Sequence, residues 1–324
     1  MYRPEVVRKL VGVQVVVATP FDEAMNLDIG ALKRQTRYLI DSGLREGKAV
    51  IIPFGSTGEC SSLTLEERKR GLEAVMEAAA GQAPVMVGAN ESGTGMVIDL
   101  VKHASSVGAA AAMILPPFYI KPSLEAIRRH FQAISDATDL PIIVYNNPDI
   151  LAMDVPLDCL AELGKIDHVV GIKECTWIMD KLRLVAADLG GRMAVTNGNG
   201  EAHEPFGYLS GTVGFVSALA NFAPRLSLAV HEAGVAGDTK RGMELYHMAR
   251  PWNQMLTSVA VRDGGGQAIS LVKASMEIMG WPNMRPRLPI YPLSGADMAA
   301  LRAILEKMEM ADRCPFANGR TFSA

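Results

Sequence analysis

The sequence predicts an α/β protein: a (β/α)8 TIM barrel followed by a C-terminal helical appendage. Three observations carry this. Short β-branched runs bounded by Gly or Pro alternate with longer stretches of helical period. Eight such strand-then-helix units fit within roughly 220 residues, the arithmetic of a (β/α)8 barrel. The strand segments are apolar on both faces, as parallel strands covered by helices must be. The rival is an open doubly wound sheet, but the GxGxxG turn expected after its early strand is missing.

Residues 12–20 (GVQVVVATP) form the first expected strand, and 28–42 its helix, with Asp28 as N-cap and Gly43 past the C-terminus. Strand two is 49–54 (AVIIPF). Its helix opens with a Thr64-Leu-Glu-Glu67 capping box and runs to about Ala80. Residues 84–90 and 94–106 make the third unit, 110–115 and 123–138 the fourth, 141–147 and 156–163 the fifth. The sixth is 168–174 with 177–189, the seventh 192–197 with 201–209, and 212–217 is strand eight. Beyond about residue 221 the strand signal ends. The segments 225–233, 239–258, 266–279 and 296–308 have amphipathic helical period. The expected division is a barrel over 1–235, a helical domain over 236–313 and a polar tail over 314–324.

The chain has 324 residues and a net charge of -3, which offers no basic surface for nucleic acid or an anionic membrane. Cys60, Cys159, Cys175 and Cys314 are scattered without a CxxC pair, which suits a reducing compartment and argues against a disulfide framework or structural zinc. The six histidines show no HxH or HExxH pairing, so no metal site is expected. The first residues lack a signal peptide's apolar run. No segment reaches the roughly 18 apolar residues of a membrane span. The cytoplasm is the default location.

In such a barrel, chemistry gathers at the C-terminal ends of the strands. After strand two comes Gly55-Ser56-Thr57-Gly58-Glu59, whose glycines permit a turn with consecutive N–H groups aimed at one anion. After strand four come Pro116-Pro117-Phe118-Tyr119, and strand five ends in Tyr145-Asn146-Asn147-Pro148. Strand six carries Lys173 in an apolar run, Val170-Gly171-Ile172-Lys173-Glu174-Cys175. A lysine kept out of water costs free energy unless it has a task. Nucleophilic attack on a carbonyl, giving a Schiff base, is such a task. A phenol nearby can shuttle protons, and a backbone nest can hold a carboxylate without adding a second cation. Plainer roles exist for each residue. Lys173 could pair with Glu174, Tyr145 could be a core tyrosine, and Ser56 and Thr57 could be turn residues. Cys175 reads as a small core residue, Glu59 as a buried acid bonded to loop N–H groups, and Asp263-Gly264-Gly265-Gly266 as a turn between helices.

Taken together and in order, GSTGE, PPFY, YNNP and GIKE resemble the dihydrodipicolinate synthase / N-acetylneuraminate lyase family of class I pyruvate-type aldolases. The likeness extends from about Gly12 to the Arg-Pro-Arg-Leu-Pro segment at 285–289. It implies that Lys173 forms the imine and that Tyr145 is the proton-transfer phenol, linked to Ser56. It implies that the backbone of Ser56 and Thr57, with Gly55, binds the carboxylate. Tyr119 would complete the relay, often from a neighbouring subunit, which implies a homo-oligomer, commonly a tetramer built from dimers. No cofactor is implied beyond the covalent imine.

The chain departs from the family in several places. The synthases carry an arginine two residues after the YNxP proline, where this chain has Ile150, beside Asp149. Asn147 replaces an apolar residue. Trp177 is large for its position, and could line the pocket or pack. The stretch 43–54 is longer than usual. Glu201, after strand seven, and Gly211, which introduces strand eight, are placed with Asn147, Ile150 and Trp177 among the substrate-binding positions. The expected activity is a Schiff-base lyase on pyruvate or a longer 2-oxo acid, by aldol cleavage, condensation or dehydration of a 2-oxo-3-deoxy acid. The alternatives are 4-hydroxy-tetrahydrodipicolinate synthase and a hydratase-aldolase on an aryl-substituted pyruvate. A non-catalytic metabolite-binding regulator is the rival of a different class; Lys173, Tyr145 and Ser56 together argue against it.

Overall fold

A computed structural model describes residues 4–151 and 153–308. Eight parallel strands form it: β1 (Gly12–Val16), β2 (Ala49–Ile52), β3 (Met86–Gly88), β4 (Ala111–Ile114), β5 (Ile142–Asn146), β6 (Val169–Glu174), β7 (Ala194–Asn197) and β8 (Gly214–Ser217). They lie in the order β2-β1-β8-β7-β6-β5-β4-β3. A bridge between Ile51 and Val85 closes the ring, with Ile51 N donating to Pro84 O at 3.0 Å and Gly88 N to Pro53 O at 2.9 Å. This is the expected (β/α)8 barrel. Every strand residue is buried, since the ring's inside and the helix layer cover the two faces.

The helix starts follow the capping chemistry written in the sequence. Asp28 accepts from Ala31 N ahead of helix Ile29–Asp41, and Thr64 and Glu67 form a reciprocal box ahead of helix Leu65–Ala79. The strands are shorter than the apolar runs: in β1 to β5 the last residues of the run leave the ladder and become loops of the barrel mouth, whereas β6, β7 and β8 lose only their first residues. Asn221 fixes one such exit: its amide donates to Val16 O at 2.9 Å and accepts from Ala18 N at 3.0 Å.

Two expected helices differ. The one expected over 201–209 is split into a 3-10 turn, Gly200–His203, and a short helix, Phe206–Leu209. Pro205 causes the break: the residue before a proline is pushed out of the helical region, and Glu204 is extended at ψ 144. The helix expected from Trp177 begins at Met179, leaving Trp177 in the preceding loop. The stretch 43–54 runs through β2 after beginning as a turn over 43–48, at the end of the barrel away from the strand C-termini. Glu46 N donates there to Gln82 O at 3.0 Å.

Helices Thr239–Asp263, Ala268–Ile278 and Gly295–Lys307 make the C-terminal appendage. One hydrophobic core runs from Leu10 in the barrel to Met308 after the last helix. The Trp252 ring packs at a tilt against Phe222, with centroids 5.3 Å apart, and Arg287 binds Glu67 at 2.8 Å, so side chains knit the appendage to the barrel. The expected tail, with Cys314, lies outside the described residues.

Candidate active site

At the C-terminal end of the barrel, β5 and β6 run in a register that sets Tyr145 beside Lys173. Both side chains point into the ring. Lys173 is 4% exposed and Tyr145 2%. The Lys173 Nζ lies 3.8 Å from the Tyr145 ring centroid, against its electron-rich face. Side chains alternate along a strand, so Glu174 faces the other way. It accepts from Asn146 Nδ2 at 3.0 and 2.9 Å and from Thr176 N at 2.9 Å, with Lys181 Nζ 3.7 Å away. The cation that serves Glu174 is therefore Lys181 and not Lys173. Burial pushes the Glu174 carboxyl above the usual carboxylate range; Lys181 and Asn146 oppose that.

The Tyr145 hydroxyl sits among several groups. Burial raises its pKa, and the Lys173 cation is the main influence in the other direction. Asn147 Nδ2 donates to the phenol oxygen at 2.8 Å, and the Ser56 hydroxyl also hydrogen-bonds with it. Cys175, two residues past Lys173 and hence on the same face, packs against the phenol. Burial pushes its thiol up to about 11. A Cβ at Gly198 would collide with the Cys175 sulfur, so the absence of a side chain there makes room for the thiol.

The glycine loop approaches from β2. Gly55 packs where a Cβ would lie 2.8 Å from Val16 Cγ1, and Glu59 N closes the turn on Ser56 O at 3.0 Å. Ser56 and Thr57 are half-buried, and among the described residues neither N–H has an acceptor. Two adjacent N–H groups without an acceptor are free to receive one anion. Glu59 is buried as expected, but its partners come from far along the chain. They are the Lys273 ammonium and Arg287 N, the latter at 2.8 Å.

The remaining residues divide. Ile150 is 37% exposed and lies on a short helix, Pro148–Leu151; Trp177 is 53% exposed and donates from its indole to Asp149 at 3.1 Å. Both therefore sit at the rim. Tyr119 is 85% exposed in the loop after β4, so within one chain it is not buried beside Tyr145. The Glu201 carboxyl is turned outward. Its Oε1 accepts from both Ser217 and Ser227 at 2.6 Å, which ties the carboxyl to β8 and helix Pro224–Ala236. Gly211 precedes β8 and so lies at the opposite end of the barrel from the strand C-termini, in a turn at φ +96. Its placement in the substrate site is corrected accordingly.

Three participants escape a reading by motif. Thr196 on β7 is the register neighbour of Lys173 and accepts from Gln14 Nε2 at 3.0 Å across the barrel. The strand alternation that exposes Lys173 inward also predicts Cys175 there. Asn146, read only as part of a motif, ties β5 to Glu174 and accepts from Val155 N at 3.2 Å.

The chain matches the model of the dihydrodipicolinate synthetase family over residues 9–308. It belongs to that family. The 4-hydroxy-tetrahydrodipicolinate synthase of Acidiphilium cryptum is 32% identical over 295 residues, 91% of this chain and 97% of the relative. That of Anaeromyxobacter is 33% identical, covering 92% and 97%. Among solved structures, the dihydrodipicolinate synthase of Aquifex aeolicus aligns with a TM-score of 0.85 at 27% identity, over 93% of this chain and 99% of the other. The Acinetobacter baumannii enzyme, solved with pyruvate, gives 0.85 at 28%, over 93% and 99%. The dihydrodipicolinate synthetase family consists of lyases of the class I aldolase type, and this chain is one of them.

Proposed function

We propose that the protein forms an imine between Lys173 and the C2 carbonyl of pyruvate or a longer 2-oxo acid. The observation that carries this is the Lys173–Tyr145 pair, together with the unpaired N–H groups of Ser56 and Thr57. The amine attacks C2, and the carbinolamine loses water to give the iminium. Tyr145, relayed through Ser56, gives and takes the protons of those steps and of the C3 transfer that follows. The substrate carboxylate rests on the two N–H groups. The iminium then serves as the electron sink: C3 loses a proton, or the C3–C4 bond breaks, and the resulting enamine is protonated or captured by an aldehyde. The lysine supplies the electron sink itself, so no cofactor enters.

At the rim, Ile150 and Asp149 offer a carboxylate-bearing acceptor neither a guanidinium nor a neutral wall. This favours cleavage or condensation of a 2-oxo-3-deoxy acid whose far end is uncharged. Synthesis of 4-hydroxy-tetrahydrodipicolinate is the second reading, supported by the names of the relatives. The exposure of Tyr119 and its neighbour Ile120 supports a homo-oligomer, a dimer of dimers, in which a second copy covers that loop. One structural relative is described as a monomeric variant, so sedimentation should decide. The scattered thiols support the cytoplasm.

Incubation with pyruvate and borohydride, followed by peptide mass spectrometry, tests the imine. Wild type should gain the reduced adduct on Lys173 and Lys173→Ala should not; equal labelling of both defeats the mechanism. Released pyruvate from a panel of 2-oxo-3-deoxy acids, set against condensation of aspartate semialdehyde, separates the two readings. Turnover of the semialdehyde near 10 per second, roughly the median for enzymes, would reverse their order.

A further inference from the structure

We propose that Asn147 is a positioning residue for the reaction: its amide donates to the Tyr145 hydroxyl oxygen and thereby aims the phenol's own proton at Ser56 and the substrate. This rests on the imine chemistry of Lys173 proposed above.

The amide cannot be turned around. Asn147 Oδ1 accepts from Asp149 N at 3.1 Å, so the NH2 end must be the one that meets Tyr145, at 2.8 Å. The residue itself is also pinned. Its backbone carbonyl accepts from Ile150 N at 3.1 Å and from Leu151 N at 3.0 Å in the short turn that follows. A side chain held at both ends presents a donor of fixed direction.

A phenol oxygen has one proton and two lone pairs. Asn147 fills one lone pair, which leaves the proton for the partners on the other side. Those are the Ser56 hydroxyl, the Cys175 sulfur, a weaker acceptor, and whatever occupies the pocket. When the phenol yields its proton, the amide N–H stays aimed at the negative oxygen, and bonds to a charged acceptor are the stronger ones. The titratable groups around this oxygen act in both directions. Lys173 on β6 favours the ionised phenol, whereas Cys175 from the end of β6 opposes it, as does burial; the Asp149 charge acts weakly on Cys175 and raises its thiol. Asn147 belongs with Lys173 in this balance. Its place in the Tyr145-Asn146-Asn147-Pro148 motif, where the family has an apolar residue, pointed to an extra amide in the substrate pocket. The hydrogen bonds assign it to the phenol.

The test uses the full-length protein and pyruvate alone. Exchange of the pyruvate methyl protons with D2O, followed by proton NMR, reports the C3 proton transfer without a second substrate. Borohydride trapping in the same samples reports the imine. Asn147→Leu removes the donor. Asn147→Asp keeps the acceptor for Asp149 N–H but puts a carboxylate against the phenol. Both variants should exchange more slowly by roughly 10- to 100-fold. In both, the alkaline rise of exchange should move to higher pH, further for Asp than for Leu. Trapping at saturating pyruvate, taken to completion, should reach the wild-type level.

A structural role alone predicts the reverse order, because Asp retains the turn's hydrogen bond and Leu loses it. The proposal fails if the pH profile keeps its position in either variant, if Leu is affected more than Asp, or if only the pyruvate KM changes. Should Leu not fold, the displacement of the Asp profile decides alone. Loss of trapping in wild type would sink the imine chemistry and this role with it. Normal trapping with an unmoved profile would sink this role only.

Discussion

Lys273 and Glu59 form an ion pair in which neither side chain is exposed. The lysine comes from helix Ala268–Ile278 in the appendage, and the carboxylate ends the glycine loop after β2. Lys273 also donates to Arg285 O at 3.0 Å and lies 4.3 Å from the Phe21 ring centroid, while Arg287 N reaches the other oxygen of Glu59. The appendage thus holds the glycine loop, whose Ser56 hydroxyl bonds with the Tyr145 phenol. Removing one member of a buried pair leaves a stranded charge, which costs about 3–5 kcal/mol. Lys273→Met should lose that much stability in urea unfolding and should also slow pyruvate exchange. Lys273→Met with Glu59→Gln should recover part of the stability, because no charge is left without a partner.

Glu201 makes a contrary case. One of its oxygens, Oε1, accepts from both Ser217 and Ser227. Glu201→Ala should therefore destabilise the fold by roughly 1–3 kcal/mol, the cost of leaving buried polar groups unsatisfied. At a temperature where the variant stays folded, its pyruvate exchange rate and KM should match wild type. A selective rise in KM for a longer substrate would return Glu201 to the pocket.

Glu204 sets a pH dependence of stability. Burial pushes its carboxyl from 4.5 up to about 8, against the donation from Asn197 Nδ2 at 2.8 Å. The folded chain holds this proton more tightly than the unfolded chain does. The contribution is therefore full below about pH 4.5 and is lost as pH rises through about 8. At about 1.36 kcal/mol per pH unit, the loss amounts to a few kcal/mol. Glu204→Gln has no charge to bury, so its stability should fall less steeply across that window, as read by unfolding midpoints at several pH values.

Trp177 offers an optical probe. The chain has three tryptophans; Trp252 and Trp281 are buried. Acrylamide should quench Trp177 selectively, and Trp177→Phe should abolish the accessible fraction while changing stability by no more than about 0.5 kcal/mol. A substrate that extends past C3 to the rim should shield Trp177 from acrylamide, whereas pyruvate should not. Equal shielding by both would place the indole deeper than the rim.

Much of this was legible in the chain. β-branched runs punctuated by Gly and Pro marked all eight strands, and Asp28, Thr64 and Glu67 announced the helix starts they cap. Those signals are local, and the backbone obeys them locally. Side-chain commitments were harder to read. Glu201 follows a strand as a pocket residue would, yet the hydroxyls that claim it lie on β8 and a later helix. Glu59 was expected to serve its own loop, but its ammonium partner comes from the appendage. Gly211 was misplaced because the end of the barrel a turn occupies depends on whether it precedes or follows its strand. Pro205 carried a legible warning that the 201–209 helix would break.

Lys173 and Glu174 face opposite sides of the same strand, one over a phenol and the other among Asn146, Thr176 and Lys181. That arrangement depends on parity. An in-frame insertion or deletion of a single codon early in Val169–Glu174 would shift the strand by one residue and exchange the two faces. A carboxylate would then sit over Tyr145, and an ammonium would be driven into a wall that already holds Lys181. Along this short segment, mutational tolerance should therefore split by type: apolar substitutions survive in lineages of this gene, and changes of length do not.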